Sequence, residues 1–155
     1  MTKVCGIDPG KKGAFALSDT VEGLYDKVPM PESTREIVEL LGEWKPDIVY
    51  LEKAQSMPGQ GVKSMFNYGE GYGTLKGVIQ TLGIPLRLVP PREWTKELHK
   101  GVTGGKAKEK SKEAAGLLFP KEDFLRSPRC KKPDEGLMDA VLITEFGVRE
   151  QKGRI

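Results

Sequence analysis

Apolar and polar positions follow two different periods along this chain, and the changes of period mark its elements. Three short, mainly apolar runs, Lys3 to Asp8, Gly13 to Ser18 and Gly23 to Val28, are separated by brief polar connections, which predicts three strands joined as hairpins into a meander. Pro29-Met30-Pro31 ends that pattern. Ser33 and Glu36 then make a capping box, and Ile37, Leu40, Leu41 and Trp44 recur at helical spacing, so a helix of about three turns is expected to end before Pro46. Asp47 to Glu52 is nearly continuously apolar, the mark of a parallel strand covered on both faces.

Residues 53 to 63 read as a polar loop rich in Gly and Pro, and Ser64 to Leu82 as a long helix despite Gly69, Gly71, Gly73 and Gly77. Each such glycine costs about 1 kcal/mol relative to Ala, a cost that close backbone approach to another helix or to a ligand would explain. Pro85 to Val89 is a short strand, Pro90-Pro91 opens a helical piece through Leu98, and Lys106 to Phe119 is a helix stopped by Pro120. Lys121 to Pro133 is a basic loop, and the last helix runs from about Glu135 to Arg149 before a short polar tail. A meander followed by alternating helices and strands predicts an α/β fold, a five-stranded mixed sheet flanked by α-helices. The 155 residues suit a single domain over 1–155.

Composition narrows the function classes. With 37% hydrophobic and 30% charged residues, no apolar run near the ~18 residues of a membrane span and no apolar N-terminal segment, a cytoplasmic protein without a membrane partner is expected. The net charge of +3 weakly favours a polyanionic partner. Cys5 and Cys130 lack CxxC spacing and a neighbouring His, which speaks against zinc and against a disulfide. His99, the only histidine, lies in a polar stretch and reads as a surface residue. Gly101 to Ala107 is one residue short of a phosphate loop and has Ala where Ser or Thr should meet magnesium. Gly69 to Thr74 lacks the last glycine and the preceding strand of a dinucleotide motif, so no nucleotide cofactor is expected.

The informative chemistry is acidic. Asp8 ends the run Val4-Cys5-Gly6-Ile7, Glu52 ends Ile48-Val49-Tyr50-Leu51, and Asp139 lies within Leu137 to Ile143. Acids in apolar runs are costly to bury unless a cation, an Arg or Lys, or a proton compensates them. Residues four apart on a helix are offset by about 40°, so Glu135 shares a face with Asp139, whereas Asp134, five back, points about 140° away unless it precedes the helix as a free N-cap. Such a set fits a hard divalent cation with oxygen ligands, Mg2+ or Mn2+. The plainer alternative is that Glu52 caps an exposed strand end and Asp139 pairs with a nearby Lys.

Gly6-Ile7-Asp8-Pro9-Gly10, then Tyr50-Leu51-Glu52 after a helix, then Glu135-Gly136-Leu137-Met138-Asp139-Ala140-Val141-Leu142-Ile143 near the end, resemble the RuvC-type Holliday junction resolvases, most of all their bacteriophage branch. Met57 to Asn67 and Leu82-Gly83-Ile84-Pro85 also look like that branch, so the resemblance covers nearly the whole chain. It implies a ribonuclease H-like fold, a homodimer, and magnesium-dependent symmetric nicking of four-way DNA junctions. It carries Asp8, Glu52 and Asp139 over as metal ligands. In cellular RuvC proteins an acid or His stands three residues before the last Asp; here that position is Gly136, and Glu135 becomes the fourth ligand with Asp134 in reserve.

Basic and aromatic residues supply candidate DNA contacts. Lys11 and Lys12 follow Asp8 directly, and Lys106, Lys108, Lys110 and Lys112 crowd a helix start, where cations are disfavoured by the helix dipole unless an anion such as DNA phosphate is present. A solvated charged helix is the plain alternative. Arg126, Arg129, Lys131 and Lys132 lie in the loop just before the last helix. Phe66 and Tyr68 are candidates for stacking on an unpaired base, with dimer packing equally open for Phe66. Two rivals share these features, another ribonuclease H-like nuclease acting on branched DNA or structured RNA, and a catalytically silent structure-specific DNA-binding module.

Overall fold

The computed structural model describes residues 1–55 and 58–155. In chain order the elements are β1 (Lys3–Asp8), β2 (Ala14–Asp19), β3 (Gly23–Pro29), α1 (Thr34–Trp44), β4 (Ile48–Glu52), α2 (Val62–Thr81), β5 (Leu86–Val89), α3 (Pro91–Leu98), α4 (Ala107–Leu118) and α5 (Glu135–Gln151). The strands form one sheet in the order β3-β2-β1-β4-β5. β1 pairs antiparallel with β2 and parallel with β4; β2–β3 is antiparallel and β4–β5 parallel. The mixed five-stranded sheet predicted from the sequence is the one observed.

Each face of the sheet has its own core. Cys5, Ile7, Val49 and Leu51 point to the side covered by α1 and α2, where Ile37, Leu41, Trp44, Leu75 and Ile79 pack on them. Val4 and Tyr50 point to the other side, against Trp94, Ala114, Ala115 and the apolar length of α5. This is the period-2 alternation of a strand: odd positions of β1 face one layer and even positions the other.

Glycine sets how closely α5 lies on the sheet. A Cβ at Gly6 would run into Thr144, and one at Gly147 would come within 2.7 Å of both Tyr50 and Val4. Bare backbone at these two points lets the helix seat directly across β1 and β4.

Three details differ from expectation. α2 begins at Val62 rather than Ser64, because the Gly61 carbonyl accepts from the Met65 amide at 2.9 Å and starts the ladder early. α5 continues to Gln151. The four glycines of α2 are exposed and a Cβ on any of them would meet nothing within 4 Å, so no close approach inside this chain explains them. Met57, within the stretch that carries the resemblance, lies outside the described residues. No described helix is long and apolar enough to cross a membrane.

Candidate active site

Strand parity and the seating of α5 bring the acids together. Asp8 follows Val4 and Gly6 on the even positions of β1 and faces α5; Glu52 follows Tyr50 on β4 and faces the same way. The parallel register pairs Ile7 with Leu51, so Asp8 and Glu52 are the next positions on strands about 4.8 Å apart. With Gly6 against Thr144, two residues forward along β1 reach Asp8, and five back along α5, about 7.5 Å, reach Asp139. All three acids arrive at one end of the sheet. There an open cavity of about 740 Å³ is lined by Asp8, Lys11, Lys12, Lys108, Asp134, Glu135 and Asp139, among others.

The carboxylates feel one another. Burial, then repulsion from Asp139, Glu52, Asp134 and Glu135, pushes Asp8 up to about 9. Asp139 rises to about 7, again by burial first and Glu52 next, and Glu52 is raised by burial.

Apart from Asp8, each acid is turned to a partner of its own. Glu52 accepts from the Trp94 indole at 2.7 Å, Glu135 pairs with Lys108 at 3.5 Å, and the Ser111 hydroxyl lies against Asp139. Asp134 is the N-cap of α5, accepting from the Leu137 amide at 3.0 Å and from Arg126 at 3.4 Å. Among the described residues, no three Asp, Glu, His or Cys side chains are gathered tightly enough to hold an ion between them. The fold therefore supplies the shared location, and within it Glu52, Asp139 and Glu135 each have a donor of their own.

No family model matches this chain. Crossover junction endodeoxyribonuclease RuvC of Chlorobium phaeovibrioides is 33% identical over 125 residues, covering 68% of this chain and 63% of that protein. The chain thus spans somewhat less than two thirds of that relative's length. Thermus thermophilus RuvC, solved in complex with a Holliday junction substrate, superposes over 99% of this chain and 97% of its own, with a TM-score of 0.66 and 17% identity. In sequence and in fold, this chain resembles RuvC. The yeast mitochondrial Holliday junction resolvase (TM-score 0.62, 12% identity, 96% and 78% coverage) and the fowlpox virus resolvase with its substrate junction DNA (0.54, 19%, 99% and 99%) share the same ribonuclease H-like fold.

Around the acids, the RuvC-like chain distributes its basic groups unevenly. Lys108 reaches Glu135, and Lys11 and Lys12 line the cavity. Lys106, Lys108 and Lys112 are exposed and Lys110 is half-buried. The anion at the start of α4 is internal: Glu109 accepts from the Lys106 amide at 3.2 Å. Arg126 is committed to Asp134 and the Lys11 carbonyl, whereas Arg129, Lys131 and Lys132 are exposed. Phe66 is exposed; Tyr68 is half-buried, stacked on Tyr72 at 6.5 Å and pushed up to about 12 by burial and by the charges of Glu52 and Asp8.

Sequence reading missed three residues here. Trp94, Ser111 and His99 carry no motif, and His99 is not the surface residue expected: it is half-buried, 2.9 Å from the Ser111 hydroxyl and edge-on to Trp94. The tertiary packing of α3 on α4 creates that environment. The helical spacing of Trp94 and Leu98 was the one signal, marking the buried side of α3.

Proposed function

We propose that this chain is a metal-dependent endodeoxyribonuclease that resolves four-way DNA junctions by paired symmetric nicks, working as a single nuclease domain over 1–155, in the cytoplasm and as a homodimer. The observation that carries the reading is the arrival of Asp8, Glu52 and Asp139, from two strands and a helix, at one end of the sheet, where Asp8 and Asp139 line a basic-rimmed cavity. Kinship with a crossover junction endodeoxyribonuclease and a fold shared with resolvases solved on junction DNA support the substrate class.

The donor set suits a hard cation. Burial and mutual repulsion push Asp8 and Asp139 toward the protonated form, Asp8 the more; a divalent ion would restore their charge and remove the repulsion. Asp8, Glu52, Asp139 and Glu135 would hold Mg2+, with Mn2+ able to substitute. Bound there, the metal supplies an activated water and stabilises the leaving oxygen during phosphodiester cleavage.

The protein's own groups do the rest. Lys11, Lys12 and Lys108 ring the acids, and Lys106, Lys110 and Lys112 with Arg129, Lys131 and Lys132 would engage backbone phosphates and fix the strand's position without reading its sequence. Arg126 holds the loop onto α5. Val62, Phe66, Gly69, Gly73 and Gly77 fall at helical spacing on one exposed stripe of α2, a flat surface suited to a second copy. Phe66 on that stripe suits the interface; Tyr68, whose phenol feels the charges of Glu52 and Asp8, suits the DNA.

Cleavage of a four-way junction, a fork, linear duplex and structured RNA, with Mg2+ or with EDTA, tests the reading. Mg2+-dependent paired nicking confined to the junction is expected; preference for RNA would favour the other ribonuclease H-like nuclease, and binding without cleavage the silent module.

A further inference from the structure

Two acids of the site are held by a connected set of uncharged side chains from α3 and α4. The Trp94 indole is 3% exposed and donates to Glu52 at 2.7 Å. Its ring meets His99 edge-on, with centroids 5.8 Å apart and planes at 77°. His99 Nε2 lies 2.9 Å from Ser111 Oγ, and the buried Ser111 hydroxyl faces Asp139 and favours its ionised carboxylate. Glu52 on β4 and Asp139 on α5 are thereby linked through Trp94, His99 and Ser111.

Donor counting gives the directions required for the hydroxyl to serve Asp139. A serine hydroxyl has one proton; if His99 accepted it, Asp139 would receive none. Ser111 can serve Asp139 only if His99 donates to it through Nε2–H, which makes His99 the neutral Nε2–H tautomer with Nδ1 free. A half-buried ring beside Lys110 favours that neutral form.

We propose that Trp94, His99 and Ser111 are positioning residues that brace Glu52 and Asp139 at a fixed separation and pre-set the metal site. The proposal rests on the metal-centre reading above. All three act through the carboxylates rather than on the substrate. They orient the carboxylates that would meet the ion, as hydrogen-bonded partners behind metal ligands do elsewhere, where their loss weakens affinity roughly 10- to 100-fold.

His99 is the only histidine, so its side-chain nitrogen signals in a 15N-labelled protein are unambiguous. The wild-type chain is expected to show the Nε2–H tautomer without metal, Ser111→Ala and Asp139→Asn to disturb it, and Mg2+ to shift it. Calorimetric titration with Mg2+ is expected to give about tenfold weaker binding in Trp94→Phe and in Ser111→Ala, with both variants melting close to wild type in EDTA. An Nδ1–H tautomer, His99 signals indifferent to Asp139→Asn, or variants that bind Mg2+ as tightly as wild type would overturn the brace. A wild-type chain that keeps the Nε2–H signature and takes up no Mg2+ would overturn the metal centre and the brace's role toward it; the tautomer readout tells the two failures apart.

Discussion

A Cβ added at Gly136 would collide with the carbonyl oxygen of Lys12 in the β1–β2 turn and would lie 3.1 Å from two Gly13 backbone atoms. This is the position where cellular RuvC proteins carry an acid or His. In this chain the turn occupies that space, and the neighbouring acid is Glu135, one residue earlier. Gly136→Ala is expected to destabilise the fold by about 1–3 kcal/mol, read from denaturant melts, since the obstacle is backbone and cannot rotate away. Glu135→Gln should weaken Mg2+ binding, and adding Gly136→Asp should not restore it.

Among the described residues Asp8 has no hydrogen-bond donor turned to it, and burial, with the neighbouring acids, gives it a large upward shift. Asp8→Asn is expected to abolish junction cleavage while leaving junction affinity within about twofold of wild type in a gel-shift assay, because it removes a candidate ligand rather than a phosphate contact. A variant that binds the junction poorly yet still cleaves it would refute the assignment.

The same residue gives the metal-free protein a characteristic pH dependence. Folding lifts Asp8 from 3.8 to about 9 and Asp139 from 3.8 to about 7, so between those values the folded chain retains protons that the unfolded chain releases. Stability in EDTA should therefore fall as pH rises from about 4 toward 9, and Asp8→Asn should flatten the decline. Mg2+ should raise the melting temperature more at pH 8 than at pH 5; saturation at 100 times Kd corresponds to about 2.7 kcal/mol. Calorimetric melts across this range check both statements.

Asp134 and Glu135, adjacent in sequence, have different work. Asp134 caps α5 through the Leu137 amide and ties Arg126, so Asp134→Ala should cost about 1 kcal/mol while Asp134→Asn, which keeps a capping oxygen, should cost little. Neither should change Mg2+ affinity as much as Glu135→Gln does. Denaturant melts with parallel metal titrations separate the two roles.

If the exposed cations meet phosphate, junction affinity should fall steeply with salt. Replacing Arg129, Lys131 and Lys132 together by Ala should reduce the slope of log K against log salt by roughly 0.9 for each phosphate no longer neutralised, about equally for different junction sequences. An unchanged slope would count against this loop as a DNA surface.

What the sequence could reveal depended on how local the cause was. Alternating positions in β1 and β4 already put Asp8 with Gly6 and Glu52 with Tyr50, so that both acids face one layer follows from parity alone. The capping residue and helical spacing likewise delimited α1. Residues whose meaning comes from a neighbour distant in the chain were opaque. His99 looks polar and exposed until α3 and α4 close around it; the pairing of Arg126 with Asp134 has no signal in the spacing; and the glycines of α2 face outward, with nothing within 4 Å of a Cβ at any of them. The seating of α5 through Gly6, Gly136 and Gly147 is a steric fit between segments, for which residue spacing carries no signal.

The most direct measurement is the anomalous difference density of a crystal soaked in Mn2+. The account predicts peaks enclosed by the carboxylate oxygens of Asp8, Glu52 and Asp139, with Glu135 drawn off Lys108 toward the ion. Well-occupied Mn2+ elsewhere, with Glu135 still paired to Lys108, would contradict it.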